Sequence, residues 1–338
     1  SSARRVEVGC RRLVVADGAR SQLGRRLGRT WHRDTAYGVA ARAYAPSGRS
    51  DDHWISSHLE LRGEENELLS GYGWVFPLAD GNVAYLHRDV TSFEGAAAAG
   101  DELGAALTVG DFDHDGFDDL GVGAPGDDVV GFDDNGAVNV LYGSAAGLSL
   151  ARDQIWIQND IVVNGDEHGD QFGSALAAGD FDGNGFDDLA IGVPYENYVA
   201  VADAGAIYQL IGSAAGLATG SGAPFVVQET IAAGGSEAGD WFGLKLAAGD
   251  LDGDGLEDLL VGSPGEDYDD PDFTIADTGR VHVLSGTPGV GAAPGAAVAL
   301  DRDDFDFNVS LGDRFGSTVA IGRFAAGAGA GIAIGVPF

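Results

Sequence analysis

Basic residues are scarce in this chain, cysteine occurs once, and methionine does not occur at all. Its 338 residues hold 19 Lys and Arg against 53 Asp and Glu, a formal net charge of −34. A surface this acidic repels phosphate backbones, so nucleic acid is excluded as a partner. One cysteine excludes a disulfide framework and any cysteine-based zinc site. No apolar run reaches the roughly 18 residues of a transmembrane helix, and no signal peptide is visible. The lack of any methionine, the initiator included, suggests a processed or truncated chain. The seven histidines (His32, His53, His58, His87, His114, His168 and His282) form no HExxH or other paired i, i+4 set. No Gly-x-Ser-x-Gly elbow is present. Paired carboxylates abound, but an acidic loop without a cleft is not a glycosidase pair. Cys10 reads as a lone buried thiol, and Asn308-Val309-Ser310 is a glycosylation sequon.

What is abundant is glycine, 55 residues, together with aspartate, and both follow a pattern. Residues 1–95 carry 13 basic residues and 12 acids, whereas residues 96–338 carry 6 and 41. Such a step marks a domain boundary, and it falls at the small-residue stretch GAAAAG of residues 95–100. The acidic part is repetitive. Residues 110–125 read GDFDHDGFDDLGVGAP, residues 179–194 GDFDGNGFDDLAIGVP, and residues 249–264 GDLDGDGLEDLLVGSP. The opening aspartates, Asp111, Asp180 and Asp250, lie 69 and 70 residues apart. Leu103-Gly104, Phe172-Gly173 and Phe242-Gly243 precede the loops, and GAVNVLYGSAAGL, GAIYQLIGSAAGL and GRVHVLSGTPGV follow them. A fourth copy begins at Phe315-Gly316 and closes on Ile334-Gly335-Val336-Pro337.

The runs between these marks are β-branched and aromatic, and they stop at Gly-Ser or at proline. No sustained 3.6-residue period occurs, so helices should be few. About four short strands per unit, repeated in tandem, is the pattern of a propeller blade. Two stretches longer than a minimal blade, residues 264–278 and 288–299, are expected to be loop insertions.

Within each loop, oxygen-bearing side chains occupy positions 1, 3, 5 and 9. These are Asp111, Asp113, Asp115 and Asp119; then Asp180, Asp182, Asn184 and Asp188; then Asp250, Asp252, Asp254 and Asp258. Position 6 is Gly116, Gly185 or Gly255, which permits the sharp turn that folds alternate side chains onto one centre. The position 7 carbonyls of Phe117, Phe186 and Leu256 offer one more oxygen. Hard oxygen ligands in this number suit Ca²⁺. Two carboxylates about 5 Å apart repel by roughly 3 kcal/mol at an effective dielectric of about 20, so four need a cation to converge. An EF-hand is excluded, because Val122, Ile191 and Val261 stand where its bidentate glutamate belongs and strands flank the loop. For one loop the alternative is a solvated acidic turn without metal; recurrence at equal spacing argues for three Ca²⁺ sites. Loop two, with one charge fewer, should bind most weakly. The fourth copy has Arg323, Ala325 and glycines in place of ligands, so no metal is expected there.

These motifs resemble the FG-GAP repeat of integrin α-subunit propellers and of bacterial FG-GAP proteins. The resemblance covers about residues 96–338. It implies an all-β fold of propeller blades with calcium held in hairpin loops on one face. It also implies a non-catalytic, extracellular or cell-surface role in adhesion, structural support or recognition of a protein or carbohydrate ligand. Family rings have seven blades, whereas this chain shows three full repeats and a partial fourth. It is a fragment, or its ends pair with another copy through open propeller edges, or those edges stay exposed.

Residues 1–95 read as a small α+β segment. A strand and glycine turn are expected at residues 13–21, a short helix at 23–28, and strands at 53–61 and 71–78. Residues 79–82 (ADGN) form a hairpin turn to the next strand. The motifs VVADGARS, SHLEL and YGWVFPLADGNV resemble an internal piece of flavin-dependent oxidoreductases of the geranylgeranyl reductase type. By that resemblance Asp17 and Gly18 lie beside FAD. No strand–GxGxxG–helix unit for the flavin diphosphate occurs in these 95 residues, so bound FAD is not expected. A flavin-dependent oxidoreductase with an appended repeat region remains the alternative to a non-enzymatic module.

Overall fold

The computed structural model describes residues 74–77, 83–86 and 100–337, apart from 130, 146, 164, 221–224, 232–234, 271–272, 306–309 and 325–328. The chain divides into two compact units, Ser1–Ala99 and Gly100–Phe338. In the first, β1 (Trp74–Pro77) pairs antiparallel with β2 (Val83–Leu86), in the register Trp74 to Leu86 and Pro77 to Val83. This is the expected strand pairing. The Asp17-Gly18 turn, residues 23–28, residues 53–61 and Cys10 lie outside the described residues, as do Asn308 and Val309 of the sequon.

The second unit is built of antiparallel four-stranded sheets. The first is ordered β3 (Leu107–Gly110), β4 (Asp119–Ala124), β5 (Ala137–Tyr142), β6 (Ser149–Trp156). The second runs β7 (Ala175–Gly179), β8 (Asp188–Val193), β9 (Ala206–Leu210), β10 (Phe225–Val226). The third sheet uses β11 (Lys245–Gly249) and β12 (Asp258–Ser263). A side hairpin, β13 (Tyr268–Asp270) with β14 (Phe273–Ile275), leaves it before β15 (Arg280–Thr287) and β16 (Gly291–Leu300) complete it. The fourth copy forms β17 (Thr318–Gly322) and β18 (Gly331–Gly335). One four-residue helix, α1 (Gln158–Ile161), and two short 3₁₀ turns are the helical content of the described residues. Four antiparallel strands in each complete repeat is the blade pattern that the strand count foretold.

Residues 264–278 leave the blade as expected and form the β13–β14 hairpin. Residues 288–299 are not an insertion. They turn at 288–290 and return as β16, the outer strand of the third blade, in the register Thr287 to Gly291 and Val281 to Leu300. Ladder bonds need only backbone, so a Gly/Ala run can pair once an edge is offered. A buried carboxamide fixes it there: Gln209 Nε2 donates to the Ala292 carbonyl at 3.0 Å, and Ala292 N–H donates to Gln209 Oε1 at 2.9 Å.

The second strand of each complete blade is buried on both faces. Side chains alternate across a strand, so the two faces serve two interfaces. Leu189, Ile191 and Val193 pack with Val138, Val140 and Tyr142 of the preceding blade. Ala190 packs with Phe242, Leu259 and Val261 of the following one. This is why the strands read as continuous apolar runs.

The Phe-Gly motif joins consecutive blades. Phe172 N–H donates to Asn135 O at 2.9 Å, Phe242 N–H to Ala204 O at 3.1 Å, and Phe315 N–H to Thr278 O at 2.8 Å. Phe172 and Phe242 are fully buried. The glycine has φ near +90° and sits against backbone: a Cβ on Gly243 would lie 2.5 Å from the Ala206 carbonyl oxygen.

Candidate metal centres

The acidic loops connect the first and second strands of each blade, at residues 111–118, 180–187 and 250–257. Gly116, Gly185 and Gly255 have φ of +89°, +87° and +94°, so the predicted turn is formed where only glycine is unstrained. Side-chain oxygens then cap the turn from inside. Asp111 Oδ1 accepts from Asp115 N–H and Oδ2 from Gly116 N–H, both at 3.0 Å. Asp180 does the same for Asn184 and Gly185 at 3.0 and 2.9 Å, and Asp250 Oδ1 accepts from Gly253 N–H at 2.6 Å.

The turn brings carboxylates together. In loop one, Asp111, Asp113 and Asp115 each offer an oxygen within 4.8 Å of the others; in loop three, Asp250, Asp252 and Asp254 do so. In loop two the trio is Asp180, Asp182 and Asp188, position 9 joining where Asn184 supplies an amide. Each group could hold a metal ion. Asn184 Oδ1 accepts from Phe186 N–H at 2.7 Å, and its Nδ2 donates to Gly212 O at 3.3 Å. Phe117 and Leu256 likewise donate their N–H groups to the position 5 carboxylates of Asp115 and Asp254, both at 2.9 Å.

Position 9 has a second task that spacing does not reveal. Asp119 accepts from Phe112 N–H at 2.8 Å and from Gly143 N–H at 2.7 Å. Asp188 accepts from Phe181 N–H at 3.1 Å and Gly212 N–H at 2.8 Å. Asp258 accepts from Leu251 N–H at 2.9 Å and Gly286 N–H at 3.1 Å. These aspartates are buried and brace the loop against the third strand. Burial, opposed by those bonds and assisted by nearby carboxylates, raises Asp119 to about 6 and Asp188 to about 7.

Loop one carries the sharpest electrostatic anomaly. Asp113 has a side chain 4% exposed. Its Oδ2 takes a hydrogen bond from Arg152 Nη1 at 2.9 Å, while its Oδ1 is buried with no partner. Arg152 also lies over the Tyr142 ring at 4.8 Å. A buried carboxylate oxygen without a donor is costly, and it sits among two further aspartates.

Sequence reading missed a second group of buried acids, which follows the Phe-Gly motifs rather than the loops. Gln158 Nε2 donates to Glu196 Oε2 at 2.6 Å and to Gly165 O at 3.0 Å. Asp170 lies beside them, fully buried. Burial foremost, then the charge of Asp170, raises Glu196 to about 8; burial raises Asp170 to about 7. The third blade repeats this with Gln228 Nε2 on Glu266 Oε2 at 2.5 Å. There Arg280 pairs with Glu266 and Asp301. The signal in the sequence was the recurring Gly-Asp-x-Phe-Gly, whose aspartate is Asp170 or Asp240.

Comparison with known proteins agrees with this geometry. Residues 103–141, 172–208 and 242–284 match the FG-GAP repeat family, so the chain contains three FG-GAP repeats. It is 34% identical to phosphatidylinositol-glycan-specific phospholipase D of Bos taurus over 163 residues, 48% of this chain and 18% of that protein. It is 31% identical to integrin alpha-PS2 of Drosophila melanogaster over 230 residues, 63% of this chain and 14% of that protein. A separate similarity, 64% over 77 residues, is to menaquinone reductase of Mycobacterium tuberculosis (strain ATCC 25618 / H37Rv), covering 23% of this chain and 19% of that protein. The chain therefore spans less than a fifth of the length of each of these relatives.

Proposed function

We propose that residues 96–338 form a calcium-binding FG-GAP propeller module that recognises a protein ligand and is not itself catalytic. The observation that carries this reading is the unpartnered, buried Asp113 Oδ1 inside a carboxylate trio, in a loop built three times to one plan. Calcium would be held by Asp111, Asp113, Asp115 and Asp119; by Asp180, Asp182, Asn184 and Asp188; and by Asp250, Asp252, Asp254 and Asp258. The carbonyls of Phe117, Phe186 and Leu256 complete the oxygen sets. Bound calcium supplies the positive charge that lets these oxygens converge, and the stiffened loops present a fixed face to a partner. Similarity to an integrin α chain supports a protein ligand over a carbohydrate and an extracellular or cell-surface setting.

The test is a thermal melt of the whole chain in millimolar Ca²⁺, in excess EDTA, and in Mg²⁺. At free calcium about 100 times Kd each site adds about 2.7 kcal/mol. For a unit of this size that is about 5–10 °C per site. Coincident melts in Ca²⁺ and EDTA refute the metal role.

A second reading rests on the menaquinone reductase similarity. We assign that similarity to residues 1–95 and read them as a piece of a flavin-dependent oxidoreductase fold, with Asp17 and Gly18 on the flavin side. Soaking the protein in FAD and removing free cofactor tests it: retained absorbance near 450 nm supports flavin chemistry, and a colourless protein refutes it.

A further inference from the structure

The first two acidic loops are each fastened to the loop of the next blade, and we propose that these fastenings make cation binding at neighbouring loops positively cooperative, with Asp187 and Glu257 as the positioning residues. The inference rests on the metal reading given above.

The fastening is reciprocal and occurs twice. Asp111 N–H donates to Asp187 Oδ2 at 2.9 Å, and Asp187 N–H donates back to the Asp111 carbonyl at 3.2 Å. One blade on, Asp180 N–H donates to Glu257 Oε2 at 3.1 Å, and Glu257 N–H donates to the Asp180 carbonyl at 3.2 Å. Asp111 and Asp180 are the first ligands of their loops. Asp187 and Glu257 immediately precede Asp188 and Asp258, the last ligands of the following loops. A single peptide unit therefore joins each fastening to a ligand of the neighbouring site.

Further bonds run the same way. Ser213 N–H donates to Phe112 O at 3.1 Å, Thr287 N–H to Phe181 O at 2.9 Å, and Gly289 N–H to Asp182 O at 2.7 Å. The joint has no slack. A Cβ on Gly110 would stand 2.9 Å from Asp187 Oδ2, and one on Gly179 would stand 2.8 Å from Glu257 Cβ and Cγ. The third loop lacks this support, because the register of β17 on β18 puts Ala330 where Asp187 and Glu257 stand. The series is thus directional: loop three holds loop two, and loop two holds loop one.

The coupling follows from where ordering entropy is spent. A cation in loop two fixes Asp188 and its neighbours, which sets the Asp187 carboxylate on the Asp111 N–H. Loop one then binds with part of its ordering already done. By linkage, a cation in loop one favours loop two equally.

Calorimetric titration with Ca²⁺ alone, on the whole chain at 0.15 M salt, measures this. Asp252→Ala silences loop three and leaves a two-site protein. Adding Asp182→Ala, which costs only one further turn bond, from Asn184 N–H, isolates loop one. Loop one should then bind at least about 5-fold more weakly, the lower end of ordinary allosteric coupling. In the Asp187→Ala background the same Asp182→Ala change should leave loop one unaltered. Asp187→Asn keeps an acceptor for the Asp111 N–H and should restore the coupling, which a merely destabilised fold would not do. Equal or tighter binding at loop one after Asp182→Ala overturns the coupling while leaving the sites intact. Absence of any calcium heat in the unaltered chain overturns the metal reading and the coupling with it.

Discussion

Position 9 and position 1 of the same loop should fail in different ways, and the difference can be worked out from hydrogen bonds. Asp188 is fully buried and accepts from Phe181 N–H and Gly212 N–H. Asp188→Ala strands both donors, at about 1–3 kcal/mol each. Part of that returns, because removing a desolvated carboxyl lifts its own burial cost. A net loss of about 2–4 kcal/mol is expected without calcium, and the loss of one ligand adds to it when calcium is present. Asp180→Ala frees turn N–H groups that are exposed and rehydrate, so roughly 1 kcal/mol is lost without calcium. With calcium at about 100 times Kd, Asp180→Ala loses a further 2.7 kcal/mol or so, the contribution of its site. Melts of both variants in EDTA and in Ca²⁺ give four shifts, at about 2–4 °C per kcal/mol for a unit of this size. Asp188→Ala should be the more damaging in EDTA; Asp180→Ala should show the greater dependence on calcium relative to its loss in EDTA. If Asp188→Ala is no worse than Asp180→Ala in EDTA, position 9 does not brace the blade and the reasoning fails.

Two other predictions concern the joints between blades. Glu196 faces Asp170, Glu167, Gln158 and Tyr208, and its carboxyl is raised to about 8; a carboxyl raised on folding contributes stability at acid pH that is lost as pH climbs from about 4 through 8. Glu196→Gln keeps an acceptor for Gln158 and should raise the melting temperature at pH 8.5 while changing it little at pH 5; an equal effect at both pH values refutes the buried-acid assignment. Gly192→Ala puts a Cβ 2.0 Å from the Gly243 carbonyl oxygen, where only backbone can yield; chemical denaturation should show a loss of about 3 kcal/mol or more, and a loss under 1 kcal/mol would refute that packing.

The acidic loops were legible because their chemistry is local. Alternate oxygens and a glycine within nine residues make one turn, and the turn alone gathers Asp111, Asp113 and Asp115. The double role of Asp119 was not legible, because its partner Gly143 lies 24 residues away across the sheet. Nor was the outer strand at residues 291–300, since glycine and alanine carry no β signal of their own. Gln209, 83 residues distant, is what holds that run in place.

The repeat, its period and the gathered acidic side chains were determined by the sequence itself, because each depends on residues close along the chain or on identity between copies. Tertiary structure alone decided how one copy meets the next. Asp187 against Asp111, Gln158 against Glu196, and Gly192 beneath Gly243 join residues 38 to 76 positions apart or stack one backbone on another. Such residues recur with the repeat, but recurrence does not say which partner each one meets, because an acid that latches a neighbouring loop has the same letter as one that faces water.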